Sequence, residues 1–184
     1  MSTYSGPELA KAFRTVRNNT IQIAEDIPED QYGFRATPET RTIAQTLIHI
    51  ANAPRFNYYL HGEAKLTSLE GFDFMSFMEP IRAEEEKSFT KDQILAKLRE
   101  GGEKVASWME GLTPEFLAQT VSFPAPIQPS ERSRFEMILG TKEHEMHHRG
   151  QLMLLERMVG VVPHLTREAQ ARMARMREQS AGKG

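Results

Sequence analysis

The chain has 184 residues, no cysteine and a formal net charge of −2. That length suits one domain able to bury a core without covalent staples. The missing thiols exclude disulfides, thiolate metal ligands and a cysteine nucleophile, and the near-neutral charge leaves no global electrostatic case for a nucleic-acid partner.

The N-terminal stretch "MSTYSGPELAKAF" has no signal-peptide core, and no apolar run approaches the roughly 20 residues that span a bilayer. The expected location is therefore the cytoplasm, with no membrane partner. The first helix is read from Leu9, Phe13, Val16, Thr20, Ile23 and Ile27, spaced by three and four. Ser5 and Glu8 form a capping-box pattern before it, and Pro28 stops it. A second helix is expected over Ile43 to His61, with Thr42 and Gln45 as its capping box and Gly62 at its left-handed terminal position. Pro54 lies inside this span and should kink or break it.

Residues 62 to 90 read as a long connection carrying "GFDFMSFMEP". Its Phe72, Phe74, Met75, Phe77 and Met78 either line a substrate pocket or cover the bundle. The third helix is expected over Lys91 to Glu110, capped by Thr90 and Gln93 and ended by Gly111. Gly101 and Gly102 lie near its inward face. Each costs a helix interior about 1 kcal/mol relative to alanine, so the pair implies close approach of another helix or room for a ligand. Residues 112 to 132, with "SFPAPIQPSE", read as extended loop. The fourth helix is expected over Arg134 to Val159, begun by Ser133 and Glu136 and ended by Gly160 with Pro163.

Four long helices without a convincing alternating strand define an all-α, four-helix bundle over residues 1–165. A short basic helix and tail would occupy 166–184, where Arg167, Arg172, Arg175 and Arg177 form either a solvated face or a contact for an anionic partner.

Chemistry concentrates in "KEHEMHHRGQL", residues 142 to 152. At about 100° per residue, Met137, Thr141, His144, His148, Leu152, Leu155 and Val159 share one stripe. His144 and His148 thus face the core with β-carbons roughly 5–6 Å apart, a spacing at which two imidazoles can share one metal ion. His147 turns away toward the surface. The plain alternative is a pair of hydrogen-bonded core histidines, yet two adjacent buried imidazoles are costly unless their nitrogens find partners. On the second helix, His49 shares an inward, mostly apolar face with Gln45, Ala53, Phe56 and Leu60. Together His49, His144 and His148 make a three-histidine set on two helices, and three protein ligands with open positions are expected of a catalytic metal. His61 at a helix end and His164 after Pro163 read as loop or surface residues.

His144-Glu145-Met146-His147-His148 also satisfies H-E-x-x-H. The extended protease form requires glycine at 151 and histidine at 154. The chain has Gln151 and Leu154, and that form fails. Glu145 is then either a residue in contact with metal-bound water or a solvated, helix-paired glutamate.

"RTIAQTLIHIANA" on the second helix, "HEMHHRGQL" on the fourth and the following "RMVGVVPHL" make the chain resemble the DinB/YfiT-like superfamily. The family's single helix-two histidine maps to His49, and its H-x-x-x-H maps to His144 and His148. The resemblance implies a four-helix bundle with a long crossover, a divalent metal ion (zinc or nickel) on these three histidines, and a homodimer. It further implies a small-molecule substrate and transfer of a low-molecular-weight thiol such as bacillithiol, mycothiol or glutathione to an electrophile, or else metal-dependent hydrolysis. A non-catalytic metal or small-ligand binder stands as the third reading. Histidine ligation by itself suits zinc, nickel, copper and iron alike.

Overall fold

The computed structural model describes residues 4–181. Helix α1 spans Gly6–Asp26, and its whole predicted stripe is buried, Phe13, Thr20, Ile23 and Ile27 completely. Ser5 and Glu8 form the expected capping box, the Glu8 carboxylate accepting from the Ser5 amide at 3.1 Å. Helix α2 covers Ile43–Asn52 behind a full Thr42/Gln45 box. Pro54 then breaks the element as expected. A short α3, Pro54–Asn57, runs into a π-helical stretch over Tyr58–Glu63. Gly62 lies inside that stretch, so its expected left-handed role is wrong. The left-handed residue is Lys65, with φ of 50°. Gly62 instead packs tightly, since a β-carbon there would lie 3.0 Å from the Trp108 indole nitrogen.

The connection over 62–90 is not all loop. It contains α4, Phe74–Glu85, begun by Asp73, whose side chain accepts from the Ser76 amide. Helix α5 spans Lys91–Glu110 as expected. The segment before the last bundle helix is also more structured than predicted. It holds α6, Pro114–Ala118, and a small antiparallel pair, β1 Thr120–Ser122 with β2 Glu131–Ser133, in which Val121 faces Arg132. Helix α7 spans Arg134–Met158 and ends near Gly160, whose φ of 84° gives the left-handed stop. Helix α8 runs His164–Ala181, longer than the short helix expected after Thr166.

Helix α1 packs on α5 and α7, and α2 packs on the same two. Going round the bundle, the order is therefore α1, α5, α2, α7. The core splits into one apolar cluster around Ile23, Ile43, Leu47, Ile94 and Leu152, another around Leu9, Phe13, Val105, Met109 and Ile138, and a smaller third around Leu60, Leu69 and Val121. A polar joint at Arg17 touches all four helices. Arg17 lies on α1 and is buried. Its Nη1 donates to the Leu98 carbonyl of α5 at 2.9 Å, and its Nη2 donates to the Ile50 carbonyl of α2 at 3.2 Å. Its Nε and Nη2 donate to the Glu145 carboxylate of α7, each at 2.9 Å. Gly102 explains part of the glycine pair. A β-carbon there would lie 2.8 Å from Arg17 Cγ, so the glycine makes room for a side chain of the protein itself. Gly101 sits where a β-carbon would be 3.9 Å from the Ala51 carbonyl, an ordinary contact with α2.

Candidate metal centre

His49 on α2 and His144 and His148 on α7 come together as expected. His144 Nε2 lies 3.2 Å from His49 Nε2 and 3.2 Å from His148 Nε2. These three residues are a group whose ligand atoms lie within 4.8 Å of one another. Nitrogens held about 2.0–2.1 Å from one ion in tetrahedral geometry stand roughly 3.3 Å apart, so the spacing suits a single small ion.

The outer nitrogens fix which ring atoms can bind. His49 Nδ1 donates to Glu85 Oε1 at 2.7 Å, and His148 Nδ1 donates to Gln151 Oε1 at 2.8 Å. A neutral imidazole that donates from Nδ1 keeps its lone pair on Nε2. Two lone pairs therefore converge on the third histidine. One proton on His144 Nε2 can serve only one of them, whereas a cation would serve all three nitrogens. Buried polar groups normally find partners, and this shortfall at the centre is what a metal ion would correct. His144 Nδ1, also buried, has no partner among the described residues.

Burial holds the His144 pKa down to about 4, helped by the positive charge that His148, His49 and Arg41 would present. Burial also lowers His148, although its hydrogen bond to Gln151 works the other way. Burial thus favours the neutral form of both rings, the form that binds metal.

Sequence reasoning missed Glu85. It comes from α4, a helix inside the segment read as a long connection, and nothing singles it out among the three consecutive glutamates of "IRAEEEKSF". Its neighbour Glu84 pins α4 in place, accepting from Asn52, Arg55 and Lys97 at 3.3, 3.1 and 2.5 Å. Arg41 Nε donates to the second Glu85 oxygen at 2.9 Å. Gln151 was visible as part of the "HHRGQ" element, and its amide nitrogen also donates to the exposed His147 at 3.3 Å.

Glu145 meets neither expectation. It is not solvated, and its carboxylate is fully engaged by Arg17 and by Thr20, whose hydroxyl donates at 2.8 Å. It points to the four-helix joint and away from any base role. His61 and His164 are corrected as well, since both are buried. His61 Nδ1 accepts from Arg134 Nη1 at 2.8 Å, and His164 Nε2 lies 3.2 Å from the Asn19 side-chain oxygen. Each is drawn inside by a partner distant in sequence.

Two separate cavities border the histidines. One, of 690 Å³, is bounded by His148, Gln151, Glu85, Arg41, Arg82 and Leu155. The other, of 480 Å³, reaches His49 and His144 and is walled largely by aromatic and thioether side chains.

These features define a class, an all-α bundle with three convergent imidazoles between its second and last bundle helices. The family model of the DinB superfamily matches residues 12–152, and the chain belongs to that superfamily. The chain is similar to the uncharacterized protein YjoA of Bacillus subtilis (strain 168), 24% identical over 155 residues that cover 83% of this chain and 90% of the relative. The crystal structure of the DinB-like YjoA protein from Bacillus subtilis superposes with a TM-score of 0.61 at 20% identity, covering 83% of this chain and 92% of that one. That likeness shows the fold. Among the described residues no helix is long and apolar enough to cross a membrane.

Proposed function

We propose that this chain is a divalent-metal enzyme that transfers a low-molecular-weight thiol to an electrophile, with His49, His144 and His148 as the metal ligands. The observation that carries the reading is the convergence of three Nε2 atoms between two separate cavities. Two cavities suit two organic substrates, whereas hydrolysis needs one and a water. The hydrolytic reading also loses its base, because Glu145 is held by Arg17 and Thr20. A divalent ion on three neutral imidazoles would act as a Lewis acid, lowering the pKa of a thiol or water toward neutrality.

The chain's own part is positioning. Glu85 and Gln151 keep protons on His49 Nδ1 and His148 Nδ1 and so keep both Nε2 lone pairs free. The larger cavity, beside His148, offers Arg41, Arg82, Thr40 and Gln151 to a hydrophilic thiol. The apolar cavity sets aromatic and thioether walls around the electrophile. In the reaction the thiol sulfur forms the new sulfur–carbon bond, the leaving group departs with its electron pair, and the thiol proton passes to solvent. Zinc and nickel are the ions proposed.

Two measurements test the reading. Elemental analysis after reconstitution should find about one equivalent of metal per chain, and none in His148→Ala; substoichiometric metal in the native protein would overturn it. The loaded protein should then join a small thiol to a model electrophile. Metal-dependent ester cleavage without thiol would favour the hydrolase instead.

A further inference from the structure

The apolar cavity carries more information than its place beside the histidines. Its walls are Phe56, Phe74, Met78, Phe123 and Met137, contributed by α3, α4, the segment after β1, and α7. Phe56 meets Phe74 edge-on at 5.3 Å between ring centres, so flat aromatic surfaces already bound the space. Small-ligand sites are typically mostly apolar with a few placed polar groups. Here one polar group stands out. Arg132 on β2 lines the cavity with its guanidinium carbon 5.2 Å from the Phe123 ring centre. Its Nε is shielded from solvent and has no hydrogen-bond partner among the described residues. Glu136 and Glu143 also line the cavity, but both are exposed and lie where water can solvate them.

Gly140 gives the space its depth. It lies on α7 one turn before His144 and lines the cavity, and a β-carbon built there meets nothing within 4 Å. A glycine in a helix interior costs about 1 kcal/mol relative to alanine, and neither backbone conformation nor helix packing requires it here. What it leaves is open volume against the site.

We infer that this cavity binds the electrophile and selects a planar, apolar compound bearing an acceptor oxygen and a displaceable group, such as a halogenated nitroaromatic compound. The ring lies between the aromatic walls over Gly140, and Arg132 donates to the oxygen. The inference rests on the thiol-transfer reading for the word electrophile, while the binding itself does not depend on metal.

The test uses two fluorescent naphthylamines on chelator-treated full-length protein. 8-Anilinonaphthalene-1-sulfonate carries acceptor oxygens, and N-phenyl-1-naphthylamine carries none. Both should bind the native protein, and Gly140→Leu, with unchanged circular dichroism, should weaken both by about tenfold or more, about the free energy of one filled apolar contact site. Arg132→Met should weaken only the sulfonate, by about tenfold, as expected for losing one hydrogen bond from a charged donor. A folded Gly140→Leu variant that binds both probes like the native protein would overturn the cavity assignment. Equal loss of both probes, or of neither, in Arg132→Met would overturn the role of Arg132. If metal fails to load while Gly140→Leu still expels the probes, the enzymatic reading falls and the site stands.

Discussion

Glu85 accepts the His49 Nδ1 proton at 2.7 Å and is itself held by Arg41 at 2.9 Å. Such a carboxylate sets the tautomer and ring orientation of a metal-binding histidine and raises its basicity, and its removal typically costs 10–100-fold in metal affinity. Glu85→Ala should therefore lower zinc affinity by roughly that factor while the fold is retained. Competition with a chromophoric chelator measures it, and unchanged affinity would remove Glu85 from the site. The histidine cluster was legible in the sequence because helical spacing puts His144 and His148 on one stripe and His49 on the inward face of its own helix. Glu85 was not, because its meaning comes from a partner 36 positions away.

At the scale of elements, α4 is the misread segment. Its Phe74, Phe77, Met78 and Ile81 are spaced by three and four, a helical period, while Pro80 lies inside it. The proline alone argues against a helix, and the apolar period together with packing on α2 overrides it. The long fourth helix was legible, yet one of its residues was misplaced in role. Glu145 belongs to the joint with Arg17, and both side chains are almost fully buried, at 2% and 3% exposure. Removing one partner of a buried pair leaves an uncompensated charge and costs about 3–5 kcal/mol. Glu145→Gln should lose stability of that order in urea unfolding. The double variant Arg17→Met with Glu145→Leu should recover most of it, since well-packed apolar replacements of buried pairs are often neutral. A small loss in the single variant would show that the joint is open to water.

For the whole molecule, the consequential buried group is Glu156. It is completely buried, neither carboxylate oxygen has a partner among the described residues, and burial, with Asp26 nearby, pushes its pKa up to about 7. A carboxyl whose folded pKa exceeds its unfolded value near 4.5 gives stability that is full below 4.5 and is lost as pH rises through 7. Glu156→Gln removes that loss. Between pH 5 and 8 the native protein should lose about 2–3 kcal/mol relative to the variant, read from urea midpoints at both pH values. Parallel profiles would sink the prediction. Buried His61 and His144, both held down to about 4, act oppositely by withdrawing stability as pH falls from 6.5 toward 4. They are common to both proteins and cancel in the difference.

The sequence by itself determined the bundle helices, their caps and the faces that carry His49, His144 and His148, because these follow from local periodicity and from side chains within one turn of each other. It also determined that metal ligation must use imidazole or carboxylate, since no thiol exists. Only the tertiary structure decided which carboxylate serves the site. Glu145, inside the motif, went to Arg17, and Glu85, outside any motif, went to His49. A charged group inside a protein takes the partner that best offsets its desolvation, and that partner is set by how helices pack.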